Sequence, residues 1–540
     1  MQNDRSKERQ QRKQEELKVK RYYRLLICAM LALSILFSFT WSSAEVTVNK
    51  TGFPITSEKI TLTVLFPRLP VHGDFDQMWF VKAIEEKTNI HLEFIGVDSE
   101  GFDEKKNLVL ASGDYPDLFF NGITRSDEAI YGPQGIFVNL APYIEEYAPN
   151  AKAMFEKYSE VRKTFTFPDG SLYAMPGFID VYRYVTANNV YINEQWVTNL
   201  GYEMPKNLDE LYEVLKAMKS GDPNGNGEND EIPVSTRYGT EFDTFILSAL
   251  GYVNTRDDVI DGKYVYVPAQ EEYKEYLTFM NKLYNEKILD PEYFTQTAEQ
   301  LSAKTASGLV GMGATQPHMT IADENIWRQY TIIPAITSDA NQTPMGPRNS
   351  NYESPAMIVT DKCKYPEAAV RLCDFFYSQE GSRMVRGGPE YGTWDGDGGW
   401  EILSDTEIKL HTGDYTSFWN FRATQTPLNL PYFCGEDVMF ITVAGDAKNT
   451  WFSEQIEKSN NVACARFGYP AASYSEDEIA ELSAFIDMDN YVAQMDAQFI
   501  TGEISIEDGW DNYISTLKNM NLDRMVEIKQ AAYDRWNSVD

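Results

Sequence analysis

The sequence predicts an α/β fold built on an open, mostly parallel sheet. Short apolar strands alternate with helical segments from residue 60 onward. In such sheets, ligands bind beyond the carboxyl ends of the strands. A length of 540 residues is enough for two or more domains with cores of their own.

The first elements follow from hydrophobic spacing. Ile60–Phe66 alternates as a strand does, whereas Phe75–Lys87 places its apolar residues on one side, as a helix does. Ile90–Ile95 is a second strand, Asp103–Ala111 a second helix and Asp117–Phe120 a third strand. The loops that follow the three strands are the first candidates for a ligand site: 67–73, 96–101 and 121–125.

Residues 222–231 have the spacing of a calcium-binding loop. Oxygen-bearing side chains alternate along a glycine-rich turn that reads Asp-Pro-Asn-Gly-Asn-Gly-Glu-Asn-Asp-Glu. Calcium is a hard cation that takes about six to eight oxygen ligands, and this alternation supplies most of them. The spacing predicts a Ca²⁺ site with the ligands Asp222, Asn224, Asn226, Glu228 (through its carbonyl) and Asp230.

The loop departs from the EF-hand pattern at its end. Its twelfth position is Pro233, where an EF-hand has a bidentate glutamate, so a carboxylate from elsewhere has to complete the site. The alternative interpretation is a surface turn rich in Asx and Gly that binds no metal.

The segments around this loop resemble one protein family. Upstream stand Tyr191-Ile-Asn-Glu-Gln-Trp196 and Asn207-Leu-Asp-Glu210, the second of which also predicts a helix start with Asn207 as N-cap. Further matching segments follow in a shared order: 111–121, 169–176, 307–312, 365–381 and 499–534. Together they cover nearly all of residues 58–536. They resemble the extracellular solute-binding proteins of carbohydrate ABC importers, in the branch that includes maltose-binding protein.

The resemblance implies a two-lobed, periplasmic-binding-protein-like type II fold with a hinge and a ligand cleft between the lobes. It implies a first lobe of residues 45–184 and 346–398 and a second lobe of residues 185–345 and 399–540. Three hinge crossings are then expected, near 176–189, 346–355 and 391–400. A calcium loop in this context is structural. The implied function is capture of a carbohydrate, in particular an oligosaccharide, for delivery to membrane permease subunits.

The resemblance also places the loop after Asp117–Phe120 at the cleft. In this chain the loop offers Asn121, Thr124 and Arg125, and Arg68 follows the first strand. All four are residue types that bind sugar hydroxyls. The alternative is that the two arginines are ordinary surface charges.

Two tryptophans are candidates for stacking on a sugar ring from the opposite side. Trp394 and Trp400 flank the glycine-rich stretch 395–399, and aromatic faces pack well on apolar C–H groups. The alternative is that both are core residues. For Trp419, which has a Phe on each side, we expect burial.

The N-terminus predicts export. Residues 1–24 hold nine basic and four acidic side chains, an apolar run covers Leu25–Phe39, and Ala44 ends a small-residue cleavage site. We expect a signal peptide over residues 1–44; the alternative is an uncleaved membrane anchor. Cys28 lies inside the apolar run and does not form a convincing lipobox.

Charge limits the possible partners. The formal net charge is −33, and removal of residues 1–44 brings it near −38. A chain of this charge repels nucleic acid and anionic lipid. We therefore expect a carbohydrate ligand, permease subunits as partners, no nucleic acid, and a monomer.

Four cysteines remain beyond residue 44, namely Cys363, Cys373, Cys434 and Cys464. An even number in an exported chain allows two disulfides with three connectivities. Cys373 lies within an apolar helical run, however, which favours buried free thiols.

The sequence gives little support for catalysis. None of the four histidines stands in a metalloprotease motif or a recognisable triad, and no phosphate-binding loop occurs. Asp395 and Asp397 are two residues apart on a glycine-rich loop, whereas glycoside hydrolysis needs two carboxylates fixed across a cleft. We expect a binding protein; the alternatives are a secreted carbohydrate-active enzyme and a cell-surface sugar sensor or adhesion module.

Overall fold

The computed structural model describes residues 46–180, 190–348, 352–404, 407–428, 430–435, 442–460 and 464–539. All elements below belong to one unit, Val48–Asp540. The predicted targeting segment, with Cys28 and the Ala44 site, lies outside the described residues.

Seventeen strands are described. In chain order they are β1 Ile60–Arg68, β2 Ile90–Asp98, β3 Leu118–Phe120, β4 Ala174–Asp180, β5 Tyr191–Asn193, β6 Ile232–Val234, β7 Asp257–Ile260, β8 Lys263–Tyr266, β9 Val310–Gly313, β10 Tyr330–Ile332, β11 Met345–Pro347, β12 Tyr352–Val359, β13 Gly398–Ser404, β14 Glu407–Thr412, β15 Phe433–Gly435, β16 Thr442–Val443 and β17 Cys464–Arg466.

The described α-helices lie mostly between these strands and at the C-terminus. They are Trp79–Thr88, Phe102–Ser112, Arg125–Tyr131, Ala141–Tyr147, Pro149–Lys157, Ser159–Phe165, Glu194–Asn199, Leu208–Ser220, Glu241–Ala249, Glu271–Asn285, Ala298–Ala306, Pro317–Thr320, Glu324–Trp327, Pro366–Phe376, Gln379–Gly387, Phe418–Gln425, Ala447–Asn460, Glu476–Ser483, Ile486–Thr501, Ile506–Asn519 and Leu522–Ser538. None of them is long and apolar enough to cross a membrane.

A six-stranded sheet forms the first lobe, in the order β15-β4-β12-β3-β1-β2. Every strand runs in one direction except β12, which is antiparallel to β3 and β4. The predicted order of strands and helices from residue 60 to Phe120 is confirmed, but the helix expected over Phe75–Lys87 begins at Trp79, because Met78 is extended after a short 3-10 turn at Phe75–Gln77. The parallel direction brings the carboxyl ends of five strands to one edge.

A four-stranded sheet, β10-β5-β9-β6, forms the second lobe. The chain leaves the first sheet after Asp180, enters the second at Tyr191, and returns between Pro347 and Tyr352. The middle parts of the two expected crossings, 181–189 and 349–351, lie outside the described residues.

The C-terminal helices complete the second lobe. Phe499, Trp510 and Tyr513 share one buried cluster with Trp196 and Phe245 from the second sheet's surroundings. The predicted N-cap is also confirmed here, because the Asn207 side chain accepts a bond from the Glu210 N–H at 2.9 Å. The helix start predicted from neighbouring residues and the buried cluster formed by distant segments thus belong to the same lobe.

β15 lies in the segment 399–540, which we assigned to the second lobe, yet it pairs with β4 of the first sheet. Near the expected third crossing, β13 and β14 form a hairpin, which β16 extends to a three-stranded sheet. β15 is too short to show the alternation by which a strand is predicted from sequence, so only its pairing with β4 identifies it.

Cys363 and Cys373 are buried free thiols, as expected, and Cys434 is buried as well. Burial raises the pKa of the Cys363 thiol to about 12. These cysteines therefore pack as small apolar side chains.

Candidate ligand-binding site

The carboxyl edge of the six-stranded sheet carries two of the candidate residues. β1 ends at Arg68, opposite Asp98 at the end of β2, and both side chains are exposed. β3 lies on the other side of β1 and ends just before Asn121. Arg68 and Asn121 therefore share the edge from which the chain crosses to the second lobe, and Asp98, which sequence reasoning missed, joins them.

Asn121 has a constrained backbone and an unsatisfied side chain. Its φ of 61° lies in the left-handed region, and its backbone N–H donates to the Ala356 carbonyl at 3.1 Å. The residue is 9% exposed, and its Nδ2 has no hydrogen-bond partner among the described residues. An unpaired buried donor costs about 1–3 kcal/mol. A ligand oxygen that accepted a hydrogen bond from it would remove that cost and so bind more tightly.

Thr124 is engaged in starting a helix. It is the N-cap of Arg125–Tyr131, and its Oγ1 accepts from the Asp127 N–H at 3.1 Å. The same hydroxyl donates to the Asp127 carboxylate at 2.9 Å. The first bond and the bond that the Thr124 N–H donates to the Asp127 carboxylate at 2.9 Å form a capping box, which stabilises the first turn.

Arg125 is engaged in contacts within the protein. Its guanidinium lies 2.8 Å from the fully buried Glu128 carboxylate and 4.4 Å from the Phe167 ring centroid. It also donates to the Ser473 hydroxyl. Burial, opposed by Arg125, raises the pKa of Glu128 to about 7. Arg125 thus links the first lobe to the segment before the Glu476–Ser483 helix.

The second sheet presents two buried polar side chains at its own edge. Tyr191 begins β5 opposite Gly313, and His318 follows β9 in the Pro317–Thr320 helix. Their rings are 6.4 Å apart, and both pack on Trp451. Tyr191 Oη and His318 Nδ1 are buried with no hydrogen-bond partner among the described residues. Burial lowers the pKa of His318 to about 4, so its imidazole is neutral at pH 7.

Trp400 lies in β13 of the β13–β14 hairpin, and Trp394 shortly precedes that strand. Trp400 is 9% exposed, and its indole N–H donates to the Gly388 carbonyl at 3.0 Å. Trp394 is half-buried and donates to the Gly398 carbonyl at 2.7 Å. Both indoles are therefore oriented by backbone carbonyls of their own segment.

Trp419 is 50% exposed, which corrects the expectation that it is buried. The Phe418–Gln425 helix buries Phe421 and Ala423 instead, and this turns Trp419 outward. A cavity of about 490 Å³ lies beside this helix, with a lining that includes Trp327, Leu410, Phe418 and Lys448. The neighbouring phenylalanines suggested burial of Trp419. Which face of a helix is buried, however, depends on what the helix packs against.

In the predicted calcium loop, the polar side chains bond to one another and to the loop backbone. The Asp222 carboxylate accepts from the N–H groups of Asn226 and Gly227 at 3.1 and 3.0 Å. The amides of Asn224 and Asn226 donate to the Asp230 carboxylate at 3.2 Å. In the described part of the chain, no group of three or more His, Cys, Asp or Glu side chains is placed to hold a metal ion.

Glu231 is the loop residue that sequence reasoning missed. It follows Asp230, and both of its carboxylate oxygens are buried without a hydrogen-bond partner among the described residues. Burial of an unpaired carboxylate is costly, and a cation relieves that cost. The oxygen types of this loop are those that calcium prefers, and Glu231 is a candidate for the carboxylate that the Pro233 position cannot provide. The sequence offered one indication of this role: Glu231 directly follows Asp230, the ninth position of the loop.

Known proteins share this arrangement of elements. An HMO-binding, ABC-transporter-associated solute-binding protein from Bifidobacterium longum infantis superposes with a TM-score of 0.75 at 22% identity, over 88% of this chain and 99% of that one. An EF-hand mutant of the substrate-binding protein FusA from S. pneumoniae, in complex with fructo-nystose, gives a TM-score of 0.71 at 24% identity, over 89% and 100%. These similarities establish the two-lobed fold.

Sequence comparison places the chain in a family. The fructooligosaccharide ABC transporter substrate-binding protein FusA of Streptococcus pneumoniae is 27% identical over 527 residues, which are 92% of this chain and 94% of that protein. The family model for bacterial extracellular solute-binding proteins matches residues 70–382. The resemblance seen in the sequence is confirmed: this chain belongs to the bacterial extracellular solute-binding protein family.

Proposed function

We propose that this protein is the exported substrate-binding component of an ABC importer, and that it captures an oligosaccharide between its two lobes. One observation carries the proposal within the family: unpaired buried polar groups lie at the edges of both sheets, at Asn121 in one and at Tyr191 and His318 in the other. A ligand that bridges the lobes would satisfy groups on both sides and thereby favour closure.

The first ligand to test is a fructooligosaccharide, because a relative that matches 92% of the chain is named for that substrate. Membrane permease subunits are the proposed partners, and the protein acts as a monomer after removal of residues 1–44. It binds and releases its ligand without chemical change. Arg68, Asn121, Trp394 and Trp400 are the proposed ligand contacts; Thr124 and Arg125 are proposed with them, although each already has partners within the protein.

Thermal unfolding with and without sugar tests this proposal. Kestose or nystose at about 100 times its Kd should stabilise the protein by about 2.7 kcal/mol. Small-angle scattering should show contraction in the same samples. Neutral glucose-based oligosaccharides and uronic acid oligosaccharides are the comparison ligands. If no sugar shifts the melting temperature, or if a sugar binds without contraction, capture between lobes is wrong.

We also propose a structural calcium ion in the loop 222–231. The unpaired Glu231 carboxylate supports this, together with the Asx spacing and the EF-hand named for the FusA structure. Chelator should lower the melting temperature, and added calcium should restore it. Asp222→Ala should abolish the difference and leave sugar affinity largely intact. Asp261→Ala is the matched control, because Asp261 occupies a left-handed turn position elsewhere in the second lobe. If the melting temperature of the wild-type protein is the same with calcium and with chelator, the proposed site is wrong.

A further inference from the structure

The loop that follows β3 turns through two successive left-handed residues. Asn121 has a φ of 61° and Gly122 a φ of 78°. Glycine adopts this region freely, and asparagine adopts it more readily than other L-residues but still at a cost. Such a conformation persists only where the surrounding structure holds it. The groups that stabilise this backbone conformation therefore also affect the ligand contact proposed for Asn121.

The Phe102–Ser112 helix supplies two groups that hold this turn. The Phe102 ring is packed so closely that a Cβ added to Gly122 would lie 2.0 Å from its Cε1 atom. Four residues on, the Lys106 side chain is 5% exposed, and its Nζ donates to the Gly122 carbonyl at 3.2 Å. Residues four apart share one helix face, so ring and ammonium act on the same stretch of backbone.

Lys106 also ties the turn to the helix that follows it. Its Nζ donates to Asp127 Oδ2 at 2.9 Å and lies 3.3 Å from Asp103. Asp127 Oδ2 in turn accepts bonds from the Thr124 N–H and hydroxyl, both at 2.9 Å. One buried ammonium thus fixes both ends of the short segment between β3 and the Arg125–Tyr131 helix.

We propose that Lys106 and Phe102 are positioning residues for ligand binding: they lock the Asn121–Gly122 turn and so hold the Asn121 amide at the binding edge of the first sheet. This inference rests on the proposed function, since it deepens the role of Asn121. Without the ammonium, the Gly122 carbonyl loses its donor, the turn samples other backbone conformations, and the amide is no longer fixed before the ligand arrives. Preorganisation of this kind raises affinity without adding a ligand contact.

Hydrogen exchange of the ligand-free protein tests the positioning directly. Lys106→Met should accelerate exchange of the Asn121 N–H, which donates to Ala356, by tenfold or more. Lys106→Arg should restore most of the protection. Lys529→Met is the matched control, because it breaks a half-buried pair with Asp257 in the second lobe. Equal protection in wild type and Lys106→Met would overturn the proposal, whatever the ligand is.

A double-mutant cycle with kestose separates positioning from general stability. Lys106→Met and Asn121→Ala should each weaken binding about tenfold, and Lys106→Met should add nothing in the Asn121→Ala background. Lys529→Met should lower the melting temperature and leave affinity unchanged. Losses that simply multiply in the double variant would overturn the proposal. Absence of kestose binding in the wild type would instead count against the proposed ligand, and hydrogen exchange would still decide the role of Lys106.

Discussion

Two loops of this molecule, 121–125 and 222–231, each place an Asn next to a Gly, yet the unpaired polar atoms that they leave are of opposite kinds. Residues 121–125 leave two buried N–H donors without a hydrogen-bond partner among the described residues, Asn121 Nδ2 and Arg125 Nε. Residues 222–231 leave two buried acceptors without a partner, the carboxylate oxygens of Glu231. A leftover donor favours an oxygen-bearing ligand such as a sugar, whereas a leftover carboxylate favours a cation. The unpaired atoms, more than the Asn-Gly pairs that the two loops share, therefore distinguish the ligands proposed for them.

The buried carboxylates beside the two loops sharpen this difference. Glu128 has Arg125 as a cation within the chain, 2.8 Å away. Glu231 has no such partner among the described residues. Glu128 thus has a cation beside it within the chain, whereas the proposed calcium ion would supply one for Glu231.

The largest expected effect contrasts one glycine from each loop. Gly122 and Gly227 have φ values of 78° and 81°, but only Gly122 has a ring where a Cβ would go. Gly122→Ala should lower the free energy of unfolding by about 2–4 kcal/mol through crowding and strain. Gly227→Ala should cost only about 1 kcal/mol. Urea unfolding measures both, and equal losses would remove the distinction between a packed and an open loop.

The next prediction concerns pH and Glu128. Its pKa in the folded protein, about 7, lies above the ordinary value of 4.5, so folding favours the protonated form. The resulting stabilisation is full below pH 4.5 and is lost as the pH rises through 7, by up to about 3 kcal/mol. Glu128→Gln should therefore flatten the change in unfolding free energy between pH 5 and pH 8.

Urea unfolding at those two pH values provides the measurement. Glu93→Gln, at an exposed position on β2, is the control and should keep the wild-type difference. If Glu128→Gln also keeps it, Arg125 holds Glu128 ionised throughout, and the first loop is balanced by a full ion pair.

A smaller effect of opposite sign is expected at Glu231. In chelator, Glu231→Gln should raise the free energy of unfolding by about 1–2 kcal/mol, because it removes an unpaired buried charge. With calcium, the same change should reduce the stabilisation that the metal provides. Melting curves of both proteins in both conditions test this. Destabilisation in chelator would show that Glu231 has a partner other than a cation.

The smallest effect is expected at Thr124. Thr124→Ala should cost about 1 kcal/mol, because the Asp127 N–H loses its capping acceptor. Thr124→Ser keeps the hydroxyl and should match the wild type in urea unfolding. Kestose affinity that falls in the serine variant would place the Thr124 methyl group at the ligand.

Local sequence patterns determined much of this protein. The alternation of Ile60–Phe66, the helical spacing of the next segment and the Asn207 cap depend on residues a few positions apart. All three elements form, although the α-helix begins at Trp79 and not at Phe75. The order of the family segments likewise identified the family and the two-lobed fold, which the comparisons confirm.

Only the tertiary structure decided which of the candidate side chains already have partners. Arg125 bonds Ser473, 348 positions away, and Lys106 reaches Gly122 across 16. The burial of Glu231 and the exposure of Trp419 also depend on which distant segments cover each residue. The physical reason is the range of the interactions: periodicity and caps are encoded by near neighbours, whereas burial and pairing are set by segments that meet only when the chain folds.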